Sequence, residues 1–318
     1  MNVLITGITG MVGSHFANAA RARGWNTWGV ARFSAASRQA AIDDPSVLRC
    51  DITDHRNLAA VFKRVQPDLV IHMAAQAFNG LSWTMENYTY QANVSGTLHV
   101  LQCALEFAPK ARVLIACSSA EYGDVTPADC PLMEDRPLRP ITPYGVTKVA
   151  TELLGYQYFK NHGLQVFLPR MFIHVGTSHP PATAIQNFAR QLALIAKGRL
   201  EPVLRVGNLN SARDFIDVRD GVAAMMRLLD QGQPGVPVNI CTGKAHSIRD
   251  TLNLLIKASG LTVEVRTDPG LLRPTDEPLL LGDNARLRAL GWEQNHTYDQ
   301  TLAAVYADWL ARAEAITG

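Results

Sequence analysis

The stretch "NVLITGITGMVG", Asn2 to Gly13, decides the fold. Its first half is a β-branched apolar run that reads as a strand, and its glycines open a helical pattern over Gly13–Arg23. Gly7 permits a tight turn, Gly10 lets the backbone approach a ligand, and Gly13 allows helix and strand to pack closely. Amides at a helix start carry partial positive charge and face outward, so Met11, Val12 and Gly13 suit a diphosphate. The spacing is G-x-x-G-x-x-G and not the G-x-G-x-x-G of the usual fingerprint, but directly after a strand and opening a helix it has the context of a dinucleotide loop. A glycine-rich turn without a ligand is the alternative.

Outward from this stretch, short apolar runs recur at 27–32, 47–52, 68–75, 112–119 and 164–172. Their near-continuous hydrophobicity fits strands buried on both faces, which is the pattern of a parallel sheet. Between them lie helical patterns at Asn57–Val65, Tyr90–Phe107 and Tyr144–His162. The expected class is α/β, a doubly wound parallel sheet of the Rossmann type. The second half changes character, with loops rich in proline and glycine at Thr177–Pro181 and 269–278 and helices at 184–197, 218–231, 247–259 and 297–313. It reads as a second, smaller substrate-binding lobe. Residues 1–170, with about 214–245 returning, form the dinucleotide domain; 171–213 and 246–318 form the lobe.

Composition removes several classes. The 318 residues carry net charge +2, and no basic stripe for nucleic acid is visible. No apolar run approaches the roughly 20 residues that span a bilayer. Five scattered cysteines without a Cys-x-x-Cys pair read as reduced thiols, with no disulfide frame and no metal site. The opening "MNVLITG" lacks the features of a secretory signal, so a cytoplasmic protein is expected.

The second strand ends "VARFSAASR", with Arg32 where an acid would bond the ribose hydroxyls of NAD, and Arg38 close behind. A guanidinium matches a 2′-phosphate, so NADP is favoured, against a merely solvated arginine. Asp51 and Ile52 end the third strand and flank the adenine. In "HMAAQA", Ala74 and Ala75 pass the pyrophosphate and nicotinamide ribose, while His72 reads as structural. "TPYGVTK" places Tyr144 and Lys148 four apart on one helix face. "CSSAEYG" delivers Ser118 and Ser119 at a strand end. An ammonium beside a phenol eases movement of its proton, and a nearby hydroxyl can bond a substrate carbonyl. Together they suit a proton donor that acts as hydride moves.

This constellation resembles the short-chain dehydrogenase/reductase superfamily, in its extended branch acting on nucleotide sugars. "VGNLNSARDFIDVRD" (206–220), "LLRPTDEPLLLGDNARLRALGW" (271–292) and "NFARQLALI" (187–195) resemble the GDP-mannose 4,6-dehydratase and GDP-6-deoxy-4-keto-mannose reductase group. The resemblance implies that Arg213 and Arg273 grip the substrate diphosphate, with Asp276, Asn187, Ser119 and Glu121 also against substrate. It implies catalysis by Ser118, Tyr144 and Lys148, and a homodimer through the stripe Val149, Leu153, Tyr156.

Three positions depart from the group's pattern. Ala120 stands where dehydratases carry the glutamate that serves elimination, Ile173 replaces an asparagine, and Thr177–Pro181 replaces a glycine-proline loop. The expected reaction is therefore NADPH-dependent reduction of a 4-keto-6-deoxy sugar nucleotide. A dehydratase or epimerase with tightly bound NADP is the alternative reading, and a non-catalytic dinucleotide-binding protein a further one.

Overall fold

The structure, a computed structural model, describes residues 1–32, 44–271 and 278–315. Strand β1 (Asn2–Thr6) lies at its centre. Val3 and Ile5 point to one face of the sheet and Leu4 to the other, all three without exposure. The two-residue period of a strand thus feeds two separate cores. Against Val3 and Ile5 pack Phe16 and Ala20 of helix Met11–Ala22, with Met225 and Leu229 of helix Val218–Gln231. Against Leu4 pack Leu58 and Phe62 of helix His55–Val65, with Leu101 and Ala104 of helix Gly96–Phe107.

Strand β1 pairs in parallel with β2 (Asn26–Ala31) and β4 (Leu69–His72). With β3 (Val47–Arg49), β5 (Arg112–Ile115), β7 (Gln165–Met171) and β11 (Pro237–Ile240) the order is 3-2-1-4-5-7-11, and β6 (Cys117–Ser118) adds to β7. Every pairing is parallel. The direction of winding reverses between β1 and β4, so a crevice opens there at the carboxyl ends of the strands. Three expected strands are shorter than their apolar runs, the 47–52 run ending its strand at Arg49. The 68–75 run leaves the sheet after His72, and the 112–119 run breaks at Ala116.

The smaller sheet joins β8 (Ile173–Val175), β10 (Ala212–Asp217), β12 (Ala245–Ser247) and β14 (Leu279–Leu280). A separate parallel pair joins β9 (Val203–Val206) and β13 (Glu264–Thr267). Helices Ala184–Ala196, Ile248–Ser259 and Tyr298–Ala315 close a core of Phe188, Leu192, Leu252, Leu302 and Val305 around Phe215 of β10. Residues 214–217 stay with this smaller sheet, and the chain returns to the large one with helix Val218–Gln231 and β11. Among the described residues, no helix is long and apolar enough to cross a membrane.

The tightest join is at the opening glycines. A Cβ on Gly13 would stand 2.3 Å from the Gly7 carbonyl, which is backbone and cannot swing away. Overpacking of this kind costs about 1–3 kcal/mol. Gly13→Ala is expected to lower Tm by several degrees and weaken dinucleotide binding, as read by thermal melting with and without NADPH. An unchanged melt would remove the close-packing role of this glycine.

Candidate active site

The loop after β1 is built entirely from backbone. Gly7 takes φ +71°, and a Cβ there would meet the Ala74 amide nitrogen at 2.8 Å. Gly10 caps the helix with no side-chain bond, and the first turn carries no acid. Neither the cap residue nor the first turn therefore sets an acid against the leading amides of Met11, Val12 and Gly13. Ala74 is held by its amide, which donates to Thr6 Oγ1 at 3.2 Å. Ala75 follows it, partly exposed. Such a cradle, closed to any Cβ and rich in amides, fits a dinucleotide diphosphate.

At the far end of the crevice, Arg32 leaves β2 half exposed. Its guanidinium lies 5.4 Å over the Tyr88 ring and 3.9 Å from Asp51. Asp51 is engaged elsewhere by the Thr53 amide and hydroxyl, at 2.9 and 2.8 Å. Ile52 is buried against Gly96, where a Cβ would fall 2.6 Å from Ile52 Cδ1. Arg38 lies outside the described residues.

Ser118 ends β6 and caps the short turn Ser119–Glu121. Its Oγ accepts the Ala120 amide at 3.2 Å, and its own amide donates to Glu121 Oε1 at 2.7 Å. Tyr144 and Lys148 sit in helix Pro143–His162, started by Thr142 and stopped by Gly163 in the left-handed region. Gly145 brings this helix onto the serine turn, since a Cβ there would lie 2.6 Å from the Ala120 carbonyl. Lys148 is nearly buried. Its Nζ donates to the Ala116 carbonyl at 2.6 Å, at the break between β5 and β6, and lies 5.8 Å from the Tyr144 ring centroid. The three residues read from sequence as catalytic thus converge from a strand end and one helix turn.

A neutral network beneath them is not evident from sequence. His72 Nδ1 bonds Thr6 Oγ1 at 2.7 Å, and its Nε2 bonds Thr97 Oγ1 at 3.0 Å. Burial, then the Lys148 charge, lower its pKa to about 3, so the imidazole is neutral. Thr97 donates to the Asn93 carbonyl. Asn93, in the π-helical turn Gln91–Ser95, accepts the Gln76 amide at 2.7 Å and donates to Thr147 Oγ1 at 2.9 Å. Thr147 then bonds the Tyr144 carbonyl at 2.7 Å. The cofactor-side turn and the tyrosine helix are therefore joined. The signal in sequence is faint: polar Asn93 and Thr97 four apart on an otherwise apolar face.

The expected substrate residues are less uniformly placed. Glu121 has no exposure and its carboxyl is turned inward to Arg170, which corrects its reading as a substrate contact. Its Oε2 stands 3.6 Å from Arg170 Nε, and Arg170 makes two bonds of 2.8 and 2.7 Å to Glu152. Burial and the Glu152 charge push Glu121 well above the usual carboxylate range. Cys117, Glu121 and Glu152 hold ligand atoms within 4.8 Å of one another, and the Glu152 carboxylate among them is already paired with Arg170. Ser119 is buried in the same turn. Asn187 is partly exposed in the first turn of helix Ala184–Ala196. Arg213 is buried on β10, in register with His246 and Leu280, its Nη1 donating to the Ala212 carbonyl at 2.9 Å. Arg273 and Asp276 lie outside the described residues.

The chain is similar to known proteins along nearly its whole length. GDP-6-deoxy-D-mannose reductase of Pseudomonas aeruginosa is 31% identical over 98% of this chain and 97% of its own. GDP-mannose 4,6-dehydratase of Yersinia enterocolitica is 29% identical, over 98% and 94%. Among solved structures, RMD from Pseudomonas aeruginosa complexed with NADPH superposes with TM-score 0.86 at 30% identity, covering 98% of this chain and 100% of that one. The sequence model of the GDP-mannose 4,6 dehydratase family matches residues 4–305. The chain therefore belongs to the GDP-mannose 4,6-dehydratase family, on an extended short-chain dehydrogenase/reductase fold.

Proposed function

We propose that the protein is an NADP-dependent reductase of a 4-keto-6-deoxy sugar nucleotide, acting on GDP-4-keto-6-deoxy-mannose. The observation that carries the reading is the fate of the carboxyl beside the serine turn. Glu121 is buried against Arg170 and Glu152, and the position before it, from which dehydratases extend their acid, is Ala120. Elimination needs a group to take a C5 proton and protonate the departing C6 hydroxyl, whereas reduction does not. The similarity to GDP-6-deoxy-D-mannose reductase supports the same choice.

The residues divide the work simply. Ser118 bonds the substrate carbonyl, and Tyr144 delivers the proton to its oxygen. Lys148, already directed by the Ala116 carbonyl, holds the ribose and keeps positive charge beside the phenol. When bound, NADPH supplies the hydride. Arg213 and Arg273 hold the diphosphate end of the substrate, Asp276 accepts from a substrate hydroxyl or amine, and Ser119 and Asn187 line the sugar side. Arg32 takes the 2′-phosphate, with Asp51 and Ile52 at the adenine. Two copies pair through the stripe Val149, Leu153 and Tyr156: Val149 is partly exposed, Leu153 and Tyr156 are 56% and 44% exposed, and Val146 on the same helix adds 39%. Work in the cytoplasm fits the five thiols, all free.

Three outcomes test this reading. Purified protein with GDP-mannose and catalytic NADP should show no loss of water by mass spectrometry, yet oxidise NADPH stoichiometrically with GDP-4-keto-6-deoxy-mannose. Tyr144→Phe should slow that oxidation by roughly two to four orders of magnitude. Multiple turnovers of dehydration would overturn the reductase assignment.

Cofactor choice is read by fluorescence titration. NADPH should bind more tightly than NADH, and Arg32→Asp should weaken NADPH by roughly tenfold or more, since bonds to charged groups are worth about 1.5–3 kcal/mol. Equal affinities in the unaltered protein would remove Arg32 from the 2′-phosphate site.

Light scattering after gel filtration should give a dimer, and Leu153→Glu with Tyr156→Glu should give a folded monomer. A dimer that survives both changes would place the interface elsewhere.

A further inference from the structure

The turn that carries Ser118 is held from beneath. Glu121 Oε1 accepts the Ser118 amide at 2.7 Å, and the Ser118 hydroxyl accepts the Ala120 amide at 3.2 Å. These bonds orient both the backbone and the hydroxyl. The other Glu121 oxygen stands 3.6 Å from Arg170 Nε and beside the Glu152 carboxyl. Arg170 grips Glu152 with both arms of its fork. Glu152 stands one helical turn after Lys148, which stands one turn after Tyr144. A single guanidinium therefore spans the two elements whose separation defines the active site.

We infer that Glu121 is a positioning residue, setting the Ser118 hydroxyl against Tyr144 by holding the Ser118 amide and leaning on the Arg170–Glu152 pair. The inference rests on the reductase reading only for the name of the reaction that Ser118 serves. Having no exposure, Glu121 acts through Ser118 and not on substrate. Charge balance agrees. Arg170 is neutralised by Glu152, so the third member of the cluster carries its proton, as burial and the Glu152 charge dictate. A protonated carboxyl still accepts an amide through its carbonyl oxygen, and glutamine copies it closely.

The test compares Glu121→Gln, Glu121→Met, Ser118→Ala and the double variant Glu121→Met with Ser118→Ala, all in the full chain. Glutamine keeps the acceptor, so kcat should stay within about threefold of native. Methionine fills the volume without the acceptor, so kcat for the 4-keto substrate should fall roughly tenfold or more. NADPH affinity by fluorescence should hold in both. The double variant should be no slower than Ser118→Ala alone, because residues acting as a unit are not additive. Native kcat in Glu121→Met, or losses that multiply in the double variant, would overturn the inference. Amide hydrogen exchange of the 116–122 peptide gives a readout free of turnover: it should quicken in Glu121→Met and not in Glu121→Gln. Unchanged exchange overturns the positioning role even if the native protein reduces no keto sugar. Exchange that quickens in Glu121→Met but not in Glu121→Gln, with no turnover by the native protein, would instead count against the reductase reading alone. Where Glu121→Met does not fold, Glu121→Ala takes its place in each comparison.

Discussion

The buried guanidinium of Arg170 is the constraint around which the active half of the molecule is arranged. It sits on β7 and bonds Glu152 of the tyrosine helix, the Tyr122 hydroxyl at 3.1 Å and the Glu134 carbonyl at 2.8 Å. Tyr122 passes the link to Asn239 on β11 at 2.7 Å, and the Asn239 amide returns it to Glu134 at 2.9 Å. Removing one partner of such a pair costs about 3–5 kcal/mol, because a charge is left buried and unpaired. Replacing the whole set by apolar groups is often neutral in stability. The gain from the cluster is therefore geometric: it admits one arrangement of strand, turn and helix.

The neutral network on the cofactor side works by a different rule. Thr6 receives the Ala74 amide, so its hydroxyl proton is free for His72 Nδ1, and Nε2 then donates to Thr97. A neutral imidazole with one nitrogen accepting and one donating completes a chain that a charged ring would break. Burial ensures the neutral form. The widened turn at Gln91–Ser95 turns Asn93 inward, where its amide serves both the Gln76 backbone and Thr147. Crevice wall and tyrosine helix keep their spacing without any charge that would compete with Lys148.

Much of this was legible in the sequence, for identifiable reasons. Strands buried on both faces announce themselves by unbroken apolar runs, and Gly7, Gly10 and Gly13 by their spacing between the first strand and a helical pattern. Tyr144 and Lys148 follow from helical period. The break at Ala116 was hidden because Val113–Cys117 is apolar throughout, and nothing local shows that Ala116 must offer its carbonyl to Lys148. Arg170 and Glu152 were hidden because their pairing spans 18 residues and two elements. The smaller sheet was hidden because β12 and β14 are only three and two residues long and depend on β10 for their form. Long-range partners, not local propensity, define those strands.

The direction of one carboxyl then governs the chemistry. Ser119–Glu121 forms a tight turn of about three residues per revolution, so neighbouring side chains diverge by roughly 120°. From position 121 the carboxyl enters the interior and meets Arg170; the neighbouring Ala120 is partly exposed and brings no functional group. Moving the acid by one residue converts a reagent into a brace. The buried brace depends on Arg170 and Glu152 being present to receive it, and those residues serve the fold whatever reaction is run. A turn built this way favours chemistry that needs a hydroxyl and a phenol held at fixed spacing, with no carboxylate exchanging protons at the substrate. Reduction of a carbonyl makes that demand and no larger one.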